Sequence, residues 1–152
     1  MIDLLQRIML LKAMPLFAES YTEDLEAIAE VLKEDSCLVN DCVFKRGDPS
    51  DRFFIIAEGR IGISFDDADR ERTYIARLGP GECFGEMGLL DGEPRSASAW
   101  VLEDARLLYM EKAKLHNVLV RQPEIGLGML AHLSRMVRDC NRERSETPGE
   151  SA

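Results

Sequence analysis

The spacing of apolar side chains changes character twice along the chain. Over residues 2 to 13, Leu4, Leu5, Ile8, Met9 and Leu11 fall mostly on one side of a helix, and Pro15 ends it. A second helix is predicted over residues 22 to 34, where Leu25, Ile28, Ala29 and Leu32 recur at helical spacing. Ser20 or Thr22 can cap it, with Glu23 placed to complete a capping box from Ser20. From residue 36 to residue 110 the period shortens to strands of β-branched and aromatic residues. These are predicted at 36–39, 42–45, 52–57, 60–65, 72–78, 82–84, 97–102 and 105–110. Asn40-Asp41, Gly47-Asp48-Pro49, Glu58-Gly59, residues 66 to 70, Gly79-Pro80-Gly81 and Glu103-Asp104 separate them. Two helices close the pattern, one over 111–120 and one from Pro123, a good first helical residue, to about 143. On the last, Gly126, Leu130, Leu133, Val137 and Cys140 repeat at intervals of four and three. That seam fits a stripe lying on the barrel or a homodimer contact. Residues 144 to 152 are small, polar and proline-bearing, and are expected to be disordered.

Short strands with frequent turns and no crossover helices indicate an α+β fold that is mainly β. It is an antiparallel β-roll or jelly-roll barrel flanked by N-terminal helices and two C-terminal helices. A chain of 152 residues, 45% hydrophobic and 31% charged, is enough for one such domain, here residues 1 to 143. The net charge of -9 argues against a nucleic-acid partner, because duplex binding draws on clustered Lys and Arg. Cys37, Cys42, Cys83 and Cys140 lack metal-ligand spacing, and His116 and His132 lie far from the first three, so no metal site is expected. The thiols fit a reducing cytoplasm. Asp3, Arg7 and Lys12 interrupt the apolar N-terminal segment too often for membrane insertion.

The chemistry concentrates in residues 82 to 97, ECFGEMGLLDGEPRSA. Gly85 precedes Glu86-Met87-Gly88-Leu89-Leu90, long enough for a single helical turn whose leading N–H groups can receive an anion. Asp91-Gly92-Glu93-Pro94 should reverse the chain and bring Arg95 back over that turn. Arg95 offers a planar fork for two oxygens of a phosphodiester, and Ser96 adds a donor beside it. Glu86 only accepts hydrogen bonds at neutral pH, so it suits a sugar hydroxyl. A ribose carrying a cyclic phosphodiester meets both demands. The competing reading is an ion pair between Glu86 and Arg95 that steadies a loop; since a partly buried arginine with no anion costs several kcal/mol, a purely structural site would more easily have used an apolar residue.

This stretch resembles the phosphate-binding cassette of the cyclic nucleotide-binding domain family, F-G-E-(hydrophobic)-(small)-L followed by P-R-(small)-A. Residues 84 to 90 and 94 to 97 match it, and Gly47 with Asp51, Gly59 and Gly79-Pro80-Gly81 sit where the family has turn glycines. The resemblance runs from about Leu11 to Asn141. It implies that Met14-Pro15-Leu16-Phe17 is the short tight turn before the barrel, that Glu86 holds the ribose 2′ hydroxyl, and that Arg95 holds the cyclic phosphate. Gly85, Met87, Ser96 and Ala97 complete the cassette. It further implies that the C-terminal helix moves in over the base, bringing Arg138 and Asn141 close to it, with Leu89 and Leu90 as the apolar link between cassette and helix.

The function expected is a sensor for cyclic AMP, or cyclic GMP, without catalysis, since hydrolysis would need a metal-activated water and no His and Asp cluster stands in the sequence. Guanine-selective relatives often carry threonine where Ser96 stands; serine can donate in a similar way and is also common in adenine binders, and cyclic AMP is the expected ligand. The alternatives are the excised sensor of a larger transcription regulator, channel or transporter, and a ligand-independent interaction module.

Overall fold

The computed structural model describes residues 1–65 and 72–145, and only the backbone of Met87. The separator at 66 to 70 and the tail from 146 lie outside the described residues. Helix α1 (Leu4–Ala13) starts on a capping box the hydrophobic pattern did not reveal: the Asp3 carboxylate accepts from the Gln6 N–H at 2.8 Å and the Asp3 N–H donates to the Gln6 side chain. A 3-10 turn (Pro15–Phe17) follows, in the place expected for a short tight turn. Helix α2 (Thr22–Val31) is shorter than expected and has Tyr21 at its N-cap with no side-chain cap bond. The capping box from Ser20 does not form. Ser20 lies one position too early, its N–H donating to Phe17 O, and its hydroxyl is buried without a partner near Gly128.

Six strands follow, β1 (Lys33–Cys37), β2 (Cys42–Phe44), β3 (Arg52–Ser64), β4 (Tyr74–Leu78), β5 (Cys83–Phe84) and β6 (Ser98–Glu111). Helix α3 (Glu86–Asp91) interrupts them after β5, and α4 (Lys112–Arg121) and α5 (Pro123–Ser145) end the described chain. Every strand pairing is antiparallel, in the order β1-β6-β3-β4, with β2 also on β6 and β5 also on β3. Among the described residues the sheet does not close, so it is an open roll.

Two pairs of expected strands are single long ones. Glu58-Gly59 and Glu103-Asp104 were expected to be turns, yet β3 and β6 pair through them, from Arg52 opposite Glu111 to Ser64 opposite Ser98. The register shifts between Ile56 and Ile61, which makes a bulge at the level of Gly59. Gly59 has φ +92°, and a Cβ there would strike the Asp104 carbonyl and the Ala105 backbone. Turn-forming residues on facing strands therefore bend the ladder together without breaking it.

The run Phe53-Phe54-Ile55-Ile56 is apolar throughout because both faces of β3 are covered. Phe53 and Ile55 face the helix layer with Leu11, Phe17, Leu25, Leu108, Ile125 and Met129, while Phe54, Ile56 and Ile61 fill the roll with Phe84, Val101 and Leu107. On α5 the covered stripe begins with Ile125 and Met129, both buried; Leu130, Val137 and Cys140 of the expected seam are exposed. Gly126 and Leu133 of that seam are half-buried, so the covered stripe takes in only part of it. Helix α5 also continues through Arg144 and Ser145, two positions expected to be disordered.

Replacing Gly59 by alanine forces a side chain into backbone at a left-handed φ. It should destabilise the protein by about 2–4 kcal/mol, read as a lowered urea midpoint with an unchanged slope.

Candidate functional site

The cassette is positioned by the roll on one side and by the helix layer on the other. Gly85, φ +83°, is the N-cap of α3, and Gly92, φ +74°, closes it with its N–H on Gly88 O. The Arg95 N–H donates to Asp48 O at 2.9 Å, and Arg95 O accepts from Gly47 N–H at 2.8 Å. The turn carrying Gly47 thus grips the arginine backbone from both sides. Ser50 Oγ donates to Glu93 O at 2.6 Å and packs where a side chain at position 88 would stand, so the residue there must be glycine.

The Arg95 side chain turns inward, leaving the residue 6% exposed. Its Nη1 donates to Gly85 O at 3.0 Å, its Nη2 donates to Arg52 O at 2.6 Å, and the guanidinium carbon lies 4.1 Å from the centre of the Phe44 ring. Its Nε is buried and has no partner. A Cβ on Gly85 would stand 2.6 Å from Nη1, so Gly85 serves both the backbone conformation and the guanidinium. Burial pulls the Arg95 pKa below the ordinary arginine value, and the negative charges of Asp51, Asp48 and Glu86 partly offset this. No carboxylate comes within 4.0 Å of the guanidinium among the described residues, so the loop-steadying ion pair with Glu86 is not formed.

A cavity of about 340 Å³ opens against this arginine, within the range of small-molecule sites. Phe44, Ile63, Phe84 and Ala97 supply its apolar wall, and Ser50, Glu86, Asp91, Glu93, Arg95 and Ser96 its polar groups. The leading N–H groups of α3 have no acceptor within the helix. The cavity thus presents donors and a cation together with carboxylates, of which Glu86 is half-buried. An anion joined to a hydroxyl-bearing ring matches that arrangement.

A profile of the family described as "Cyclic nucleotide-binding domain" matches residues 36–122, more than half of the chain. The chain belongs to the cyclic nucleotide-binding domain family. A CRP-like cAMP-activated global transcriptional regulator of Mycobacterium tuberculosis is 31% identical over 104 residues, 68% of this chain and 46% of that protein. A putative potassium channel protein of Rhodopseudomonas palustris is 30% identical over 138 residues, 90% of this chain and 33% of the channel. The chain therefore spans less than half the length of either relative. The crystal structure of the N-terminal domain of a transcriptional regulator from Streptomyces coelicolor A3(2) superposes with a TM-score of 0.80 at 29% identity, covering 88% of this chain and 95% of that one.

In this cyclic nucleotide-binding domain the structure brings Gly85, Glu86, Arg95, Ser96 and Ala97 around one cavity. Met87 lies in α3. Arg138 and Asn141 stand exposed on α5 and do not line the cavity. Sequence reasoning missed Phe44, Ile63, Ser50 and the Arg52 carbonyl. The first three belong to segments distant from the cassette in sequence, and a main-chain carbonyl carries no residue-type signal at all. Leu89 is buried in the core shared with Ile125 and Met129 of α5, and Leu90, more exposed, lines a cleft with Leu133 and Met136. Both leucines thus connect the cassette to the C-terminal helices, as expected.

Cys83 lies between cavity and cleft, and burial, with the charge of Glu86 next, pushes its thiol up to about 12. Iodoacetamide at neutral pH should label exposed Cys140 and spare Cys83, as peptide mass spectrometry would read.

Proposed function

We propose that this chain is a sensor of a cyclic nucleotide, cyclic AMP in preference to cyclic GMP, and that binding shifts α5. The observation that carries the reading is the buried Arg95, whose Nε has no partner beside a cavity that also presents Glu86. An unsatisfied buried donor costs about 1–3 kcal/mol, and a phosphate oxygen is the acceptor that would recover it. The phosphodiester lies against Arg95, Ser96 and the start of α3, the ribose 2′ hydroxyl donates to Glu86, and the base rests on the apolar wall with Ile63.

One further point supports cyclic AMP. The relative from Mycobacterium tuberculosis is named as cAMP-activated. The lining groups recognise and hold, and the chain acts as a binder without turnover. Helix α5 is the output element: on binding it moves in, carrying Arg138 and Asn141 toward the base. Leu127, Leu130 and Val137 are exposed on α5, a surface suited to a second copy of this chain.

The deciding experiment is a thermal-shift series with cyclic AMP, cyclic GMP and linear AMP on wild type, Arg95→Ala and Arg95→Lys. Cyclic AMP at about 100 times its dissociation constant should add about 2.7 kcal/mol to wild type. Arg95→Ala should lose about 100-fold in affinity, and Arg95→Lys should recover little of it, because an ammonium does not reproduce the fork. Equal stabilisation by linear AMP, or undiminished binding by Arg95→Ala, overturns the reading.

A further inference from the structure

Glu86 borders two spaces. One is the cavity described above. The other is a cleft of about 280 Å³ between the cassette and α5, lined by Pro15, Leu16, Cys83, Glu86, Leu90, His132, Leu133 and Met136. Glu86 makes no hydrogen bond or ion pair within the described protein. His132 is the one imidazole lining this otherwise largely apolar cleft, half-buried and facing it from α5. A protonated imidazole in such a place has one carboxylate within the cleft to turn to, and it is the carboxylate assigned to the ligand hydroxyl.

The other charged groups around His132 have partners of their own. Arg135, one turn along α5, pairs with Glu19 in the segment between the 3-10 turn and α2. That hydrogen bond is the main reason the Glu19 carboxyl stays below its ordinary range, with charge at His132 adding to it. Asp139, further along α5, neighbours Arg135 and Arg142. Lys12 of α1 donates to Ser20 O. Cys83 on β5 stays a neutral thiol. Glu86 is the facing carboxylate left without a cation.

We propose that His132 is a competitor beside the nucleotide site and not part of it: when protonated it draws Glu86 away from the ligand hydroxyl, so that nucleotide affinity falls on acidification. This rests on the cyclic nucleotide reading of the cavity. Neither a phosphodiester nor a ribose hydroxyl titrates near neutrality, so the change in affinity belongs to the protein. Histidine is the side chain whose charge changes in that range.

The test is calorimetric titration with cyclic AMP at about pH 8 and about pH 6. Wild-type affinity should fall about fivefold, the size of one partly exposed ion pair. His132→Gln should bind like wild type at the higher pH and keep that affinity at the lower one. His132→Lys, with its fixed charge, should bind weakly at both. Glu19→Gln should keep the wild-type slope, which separates action through Glu86 from loosening of the contact between Glu19 and Arg135. A flat wild-type profile, a slope retained in His132→Gln, or a slope abolished by Glu19→Gln overturns the proposal while leaving an Arg95-dependent site intact. Absence of binding to wild type at either pH overturns the nucleotide reading and this proposal together.

Discussion

A cation held inside the protein by main-chain carbonyls is the constraint on which the site depends. Arg95 is buried, stacked on Phe44, and bonded to Gly85 O and Arg52 O, with no carboxylate within ion-pair distance. Carbonyl dipoles fix the direction of the guanidinium without neutralising it. A carboxylate in the same place would have given a closed, satisfied pair with nothing to offer an incoming anion. The acidic groups that temper the cost of burial, Asp51, Asp48 and Glu86, act through space. The charge therefore remains available in a chain whose net charge of -9 would otherwise repel a phosphate.

Holding the arginine in this way demands a rigid frame, and the long β3 and β6 pair supplies it. β3 contributes the Arg52 carbonyl, Phe54 in the aromatic floor and Ile63 in the cavity wall. Phe54 stacks on Phe84 with ring centres 5.0 Å apart, and Phe84 directly precedes the glycine that opens α3. The same strand buries Phe53 and Ile55 among the helices. One element thus registers the floor of the site against the helix layer, and the bulge at Gly59 bends it without interrupting the ladder.

Much of this was legible in the chain. Residues 84 to 97 announce themselves because glycine, proline, arginine and glutamate each have a narrow structural use, and the structure gathers Gly85, Glu86, Arg95, Ser96 and Ala97 as their order suggests. The change from helical to strand periodicity located the layers. What escaped notice was of two kinds. Glu58-Gly59 and Glu103-Asp104 carry turn chemistry locally, and only their mutual facing across the sheet turns them into a shared bulge. Ser20 had the side chain of a cap, yet closing the preceding 3-10 turn took its backbone out of the capping position. At the bulge a tertiary pairing overrode a local preference, and at Ser20 one local structure overrode another. The barrel side of α5 was hard to read for another reason: Leu130 and Val137 repeat as regularly as Ile125 and Met129, and periodicity alone does not say which side meets the core.

The route from the cavity to α5 is short. Leu89 and Leu90 follow Glu86 by one helical turn, and Leu89 is buried in the same core as Ile125 and Met129 of α5. A ligand that draws α3 toward Arg95 must move Leu89 within a close-packed interior, and such interiors respond by adopting a second packing more readily than by stretching. Few polar contacts oppose a shift of α5: the pairing of Arg135 with Glu19 ties its middle, while the Ser20 hydroxyl beside Gly128 is buried with no bond to lose. The size of any shift is limited by how much more strongly the ligand binds one packing than the other. Since Glu86 borders both the cavity and the cleft under α5, a ligand that engaged it would bear on both spaces at once.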